Sequence, residues 1–70
     1  MNLARKEILY DHLNRRIGEI VTQYDGRSIL YDKRGRRLAM YDSKSQLTFS
    51  ASGRRIGFGN LLTAELSKHA

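Results

Sequence analysis

One stretch of the chain repeats itself at an offset of 18 residues, and that self-similarity limits the fold more than any other feature. Ile29-Leu30-Tyr31-Asp32-Lys33-Arg34-Gly35-Arg36-Arg37-Leu38-Ala39-Met40 aligns with Leu47-Thr48-Phe49-Ser50-Ala51-Ser52-Gly53-Arg54-Arg55-Ile56-Gly57-Phe58. Each copy reads as a strand, a turn ending in Gly-Arg-Arg, and a second strand. Asp32 or Ser50 leads the turn, and a glycine three residues later suits the left-handed position that closes such a hairpin. Joined through Asp42-Ser43-Lys44-Ser45, the two hairpins predict an antiparallel meander of three to four strands over residues 27–58.

Alternation sorts the meander into two faces. One collects Ile29, Tyr31, Leu38, Met40, Leu47, Phe49, Ile56 and Phe58, all large and apolar. The other collects Leu30, Arg37, Ala39, Tyr41, Thr48, Arg55 and Gly57, which are smaller and more polar. The first is therefore expected to be the core, and the second to face water.

Upstream, Leu3, Tyr10, Leu13, Ile17, Ile20 and Tyr24 follow a mixed spacing of three and four, widened by Leu9 and Val21. That pattern predicts a long amphipathic helix over residues 2–24, capped by Asn2 and stopped at Asp25-Gly26. Asp11 and Arg15 would pair across one turn of it. The helix is expected to cover the apolar sheet face. A second use of the same stripe is a homodimer seam through Tyr10, Leu13, Ile17 and Ile20, since the spacing also fits heptads. At the other end Asn60 caps a short helix over 60–68, whose Leu61, Leu62 and Leu66 return to the core. The expected class is α+β: a long N-terminal helix, the meander and a short C-terminal helix, in one domain over 1–70.

Composition narrows the chemistry. There is no cysteine, which excludes disulfides and thiolate metal sites, and His12 and His69 lie far apart. No metal site or cofactor is expected. No apolar run approaches the ~18 residues of a membrane-spanning helix, and the N-terminus turns charged at once, so a cytoplasmic location is the expectation. No serine has a plausible base, the acids are scattered, and His12 does not face Asp11 on a helix; the chain is read as a non-enzyme. A ribonuclease working through Arg37 and Tyr41 is the catalytic alternative.

Charge is uneven. Residues 1–26 carry four basic and four acidic side chains, whereas residues 27–70 carry nine and three, and so hold the whole net charge of +6. Alternate turns of a meander share one end of the sheet. Lys33, Arg34, Arg36 and Arg37 would therefore stand beside Arg54 and Arg55, with Lys44 at the far end. Such a pole suits phosphates, and Tyr41 on the water-facing side would supply a stacking surface for a base. The expected partner is nucleic acid, DNA or RNA. The alternative is a protein-interaction module, an inhibitor or adaptor, docking on an acidic protein surface.

Tyr31-Asp32-Lys33-Arg34-Gly35-Arg36 resembles one unit of the tyrosine–aspartate repeats of bacterial Rhs toxins, which string such hairpins into a shell. The order helix, strands, helix is similar to that of double-stranded-RNA-binding domains. The Tyr-Asp-x-x-Gly-Arg-Arg hairpin also resembles the three-stranded sheets with which integrase arm-type domains enter DNA. These likenesses are local or topological, and no family is identified from them.

Overall fold

The computed structural model describes residues 3–69, and the side chains of 5–66. The protein is mostly β. Six antiparallel strands pair in chain order: β1 (Leu3–Tyr10), β2 (Arg16–Gln23), β3 (Arg27–Asp32), β4 (Arg37–Asp42), β5 (Leu47–Ser50) and β6 (Arg55–Phe58). One helix, α1 (Leu62–His69), follows them.

The long N-terminal helix is overturned. Its residues form the β1–β2 hairpin, whose register runs from Leu3 opposite Gln23 to Tyr10 opposite Arg16. Asn2, read as its cap, lies outside the described residues. Three local forces act against a helix here. Gly18 is costly in a helix interior, the β-branched run Ile20-Val21-Thr22 favours a pleated strand, and Asn14 adopts a left-handed conformation (φ 66°) that interrupts any helix. Pairing of β2 with β3 then supplies the hydrogen bonds that a helix would have made internally. The helical dimer seam disappears with the helix. Tyr10 ends β1, Leu13 sits in the turn, and Ile17 and Ile20 pack toward the core from β2. The likeness to double-stranded-RNA-binding domains, which rested on a leading helix, goes too.

The two sheet faces are exchanged relative to expectation. Strand partners directly opposite each other share a face, which places Gly18, Leu30, Ala39, Tyr41, Thr48 and Gly57 together under α1. The fully buried core joins Leu30 and Ala39 of the sheet to Leu62 and Leu66 of the helix. Residues this small let α1 approach closely. A Cβ at Gly18 would lie 2.6 Å from the Tyr31 carbonyl oxygen and 3.2 Å from Leu66 Cδ1. The large apolar face, with Ile29, Tyr31, Met40, Leu47 and Phe49, is only partly buried, and no element of the described residues covers it.

Leu38 and Ile56 were assigned to that large face, yet both pack against the core together with Ile17. The register slips by one residue at each of these positions, between Leu9/Tyr10, Leu30/Tyr31 and Thr48/Phe49 on the facing strand. A bulge of this kind re-aims side chains. It turns the three residues toward α1 and leaves the preceding Arg16, Arg37 and Arg55 on the open face, each opposite an aromatic.

Thr48 ties the helix to the sheet. Its buried hydroxyl donates to the Gly59 carbonyl (2.6 Å) and accepts from the Leu61 amide (3.1 Å), while Asn60 Oδ1 accepts from the Leu62 amide (3.1 Å). Thr48→Val keeps the shape and strands both backbone groups in a dry site. It is expected to lower unfolding free energy by about 1–3 kcal/mol in a urea titration, with an unchanged m-value.

Candidate nucleic-acid interface

The charged end of the molecule is built from three copies of one turn, not two. Tyr10-Asp11-His12-Leu13-Asn14-Arg15-Arg16-Ile17-Gly18 matches Tyr31-Asp32-Lys33-Arg34-Gly35-Arg36-Arg37-Leu38-Ala39 and Phe49-Ser50-Ala51-Ser52-Gly53-Arg54-Arg55-Ile56-Gly57 position by position. The spacing of 21 residues to the second copy, with asparagine in place of glycine, hides the first one inside what looks like a helical stripe. The signal was present: every tyrosine of the chain is followed by aspartate.

Geometry confirms the equivalence. Asp11, Asp32 and Ser50 each donate their amide to the carbonyl four residues on, at 2.9, 2.9 and 2.7 Å, and their own carbonyls accept from the amide three residues on. That third residue is left-handed in all three, at φ 66° for Asn14, 85° for Gly35 and 91° for Gly53. Asp11 Oδ1 accepts from the amides of Leu13 and Arg15, and its Oδ2 from Arg15 Nε at 2.9 Å. Asp32 does the same with Arg34 and Arg36, Arg36 Nε standing 2.8 Å from Oδ2. Ser50 keeps only the shorter version, accepting from the Arg54 amide. The expected Asp11–Arg15 pair thus exists, but it closes a hairpin.

In both aspartates the carboxyl is held below its ordinary value. The amide four residues on contributes most, with the guanidinium of the same residue and the amide two residues on adding to it, against an opposing push from desolvation.

Because strands alternate in direction, these three turns share one end of the sheet. Residues 11–16, 32–37 and 50–55 hold eight arginines and lysines against two aspartates, a surplus equal to the chain's +6. The rest of the chain holds five cations and five acids. Arg15 and Arg36 are engaged by their own turns, and Arg16 pairs with Glu19 at 2.7 Å. Lys33, Arg34, Arg37, Arg54 and Arg55 are exposed and have no ion pair among the described residues. Lys44 stands in a turn at the opposite end, whose neighbour, the turn at Gly26, accepts the Ser43 amide.

Tyr41 is the misplaced member of the expected site. It faces α1 and packs against the core, so it offers no stacking surface on the open side. The aromatics that do lie beside arginines are Tyr10 opposite Arg16, Tyr31 opposite Arg37 and Phe49 opposite Arg55. Tyr31 and Phe49, expected in the core, keep the face that alternation gives them, but α1 covers the other face, and the bulges bring Arg37 and Arg55 round beside them.

Among the described residues no group of three His, Cys, Asp or Glu side chains is placed to hold a metal ion, and no helix is long and apolar enough to cross a membrane. Comparison with protein-family models, with curated proteins and with solved structures found no match.

Two outcomes follow from the turn chemistry. At Gly35, where nothing lies within 4 Å of a would-be Cβ, only backbone conformation limits substitution. Gly35→Ala should cost about 1–2 kcal/mol in a denaturant melt, and Gly35→Asn clearly less, as Asn14 already shows. Because the Asp11 and Asp32 carboxyls are depressed in the folded state, their contribution is complete above the unfolded value of about 3.9 and is lost as pH falls below it. Thermal melts should therefore show stability dropping on acidification below about pH 4, and Asp32→Asn should be less stable at neutral pH with a shallower acid loss.

Proposed function

We propose that this protein is a small non-catalytic binding protein that grips the phosphates of a nucleic acid with the end of its sheet formed by the three equivalent turns. The observation that carries this is the concentration of the entire net charge of +6 at that end, on three turns of which two are stiffened by their own aspartates. Guanidinium groups held on a rigid scaffold lose less freedom on binding, and several cations in one place neutralise several phosphates together. Lys33, Arg34, Arg37, Arg54 and Arg55 are the contacts with no internal partner to give up, and Arg36 adds charge while locked to Asp32. A cytoplasmic setting belongs to the same proposal. The ribonuclease alternative loses its tyrosine, since Tyr41 is packed under α1.

Fluorescence anisotropy with short duplex and single-stranded probes at several salt concentrations tests it. Five engaged cations predict a slope of log K against log salt of about −4 to −5 on duplex DNA. Arg34→Ala should weaken binding on every sequence and make the slope shallower by about 1. Lys44→Ala, at the far end, should leave both unchanged. Absence of binding at low salt to any of these probes would overturn the proposal, and cleavage of the RNA probe would replace it with the catalytic alternative.

A further inference from the structure

The large face of the sheet has no cover in the described residues, and it is built as an interface. Val21, Ile29, Met40 and Phe49 are consecutive cross-strand partners, giving an apolar row four strands wide across the middle of that face. Charged residues lie around it: Lys6 and Arg55 end the row, with Glu19 and Arg37 on one side and Arg27 and Asp42 on the other. An apolar centre with a charged rim, rich in Phe, Met, Tyr and Arg, is the composition of a protein–protein contact. Aliphatic groups in the middle of the row fit another protein better than the bases of a nucleic acid.

The surface ledger agrees. The chain exposes 5048 Å², whereas a compact monomer of its 8.1 kDa is expected to expose about 4,500 Å². Among the described residues only four apolar ones are fully or nearly buried. The molecule measures 34 × 27 × 18 Å, so its broad side offers on the order of 800 Å², the amount one partner contributes to a standard interface.

We infer that this face is covered by a second copy of the same chain, in a two-sheet sandwich whose two-fold axis runs across the strands at the level of Met40. The pattern of charge selects both the occupant and the axis. On the open face β4 carries Arg37 on one side of Met40 and Asp42 on the other, while β3 carries Tyr31 and Arg27 on either side of Ile29. Rotation about the proposed axis lays the apolar row on its own image. It also sets Arg37 over the partner's Asp42 and Tyr31 over the partner's Arg27, each pairing occurring twice, while Lys6 and Arg55 at the two ends of the row meet their own images at the solvent margin. The alternative axis, along the strands, would bring two ends of +6 side by side. The proposed one holds them at opposite ends of the sandwich, well beyond the screening length of about 8–10 Å. Lys33, Arg34 and Arg54 stay clear of the interface, whereas Arg37 and Arg55 belong to its rim and are shared with the proposed phosphate grip, so the dimer is tested without nucleic acid.

Sedimentation equilibrium of the full chain, without nucleic acid, is expected to give twice the mass of one chain. Met40→Glu places a charge at the centre of the face, away from the α1 core. It should keep the circular dichroism spectrum and raise the dimer dissociation constant at least about 100-fold, as loss of a central contact does. Isotope-filtered NOEs in a mixed labelled and unlabelled sample of the unsubstituted protein supply a second readout, with cross-chain contacts expected from the Met40 methyl to the methyls of Ile29 and the ring of Phe49. A monomer at concentrations on the order of 0.1 mM overturns the inference. So does a dimer lacking those NOEs, which would pair through the β1 or β6 edge, or a monomer whose Met40 methyl is shifted by a single-stranded oligonucleotide, which would assign the face to nucleic acid.

Discussion

The structure depends on one hydrogen-bonded turn used three times. An aspartate, or in the third copy a serine, closes the loop from within by accepting the amide four residues on. The residue three after it takes the left-handed conformation that turns the chain back. Each net hydrogen bond of this kind is worth only about 1 kcal/mol, yet the consequences exceed the energy. The turn sets the register of each hairpin, and register decides which side chains share a face. The bulge that follows each turn then directs Ile17, Leu38 and Ile56 toward the helix and leaves an arginine beside an aromatic on the other side.

From this the two ends and the two faces of the sheet acquire different characters. Three turns of one kind collect the surplus charge at one end, and the remaining end is neutral. The face with Gly18, Ala39, Thr48 and Gly57 takes the helix because small residues allow close approach, and the buried Thr48 hydroxyl secures the strand-to-helix connection. The bulkier face cannot be covered by an eight-residue helix lying over β3 and β4. It therefore stays available to a partner.

Much of the meander was legible because its cause is local. The Asp-x-x-Gly-Arg-Arg unit, the glycine at the left-handed position, the far-end placement of Lys44 and the Asn60 cap are all short-range chemistry, and the coordinates show each of them. The N-terminal third was misread because Leu9, Leu13, Ile17 and Ile20 satisfy a helical period while also fitting two strands around a turn. In the first copy asparagine stands where glycine would have signalled the turn. The face assignment failed for a different reason: strict alternation takes no account of bulges, and the greater apolarity of one face was taken to mean greater burial.

What the sequence by itself determined is therefore the two glycine-bearing turns at Asp32 and Ser50 and the charge they carry, since such a turn is decided by the few residues that compose it. Which face is the core, whether residues 3–23 form a helix or a hairpin, and which aromatics stand beside the arginines were decided only by the tertiary structure. Those choices depend on where a strand finds its hydrogen-bonding partner and where a short helix finds residues small enough to approach, and such relations join parts of the chain far apart in sequence.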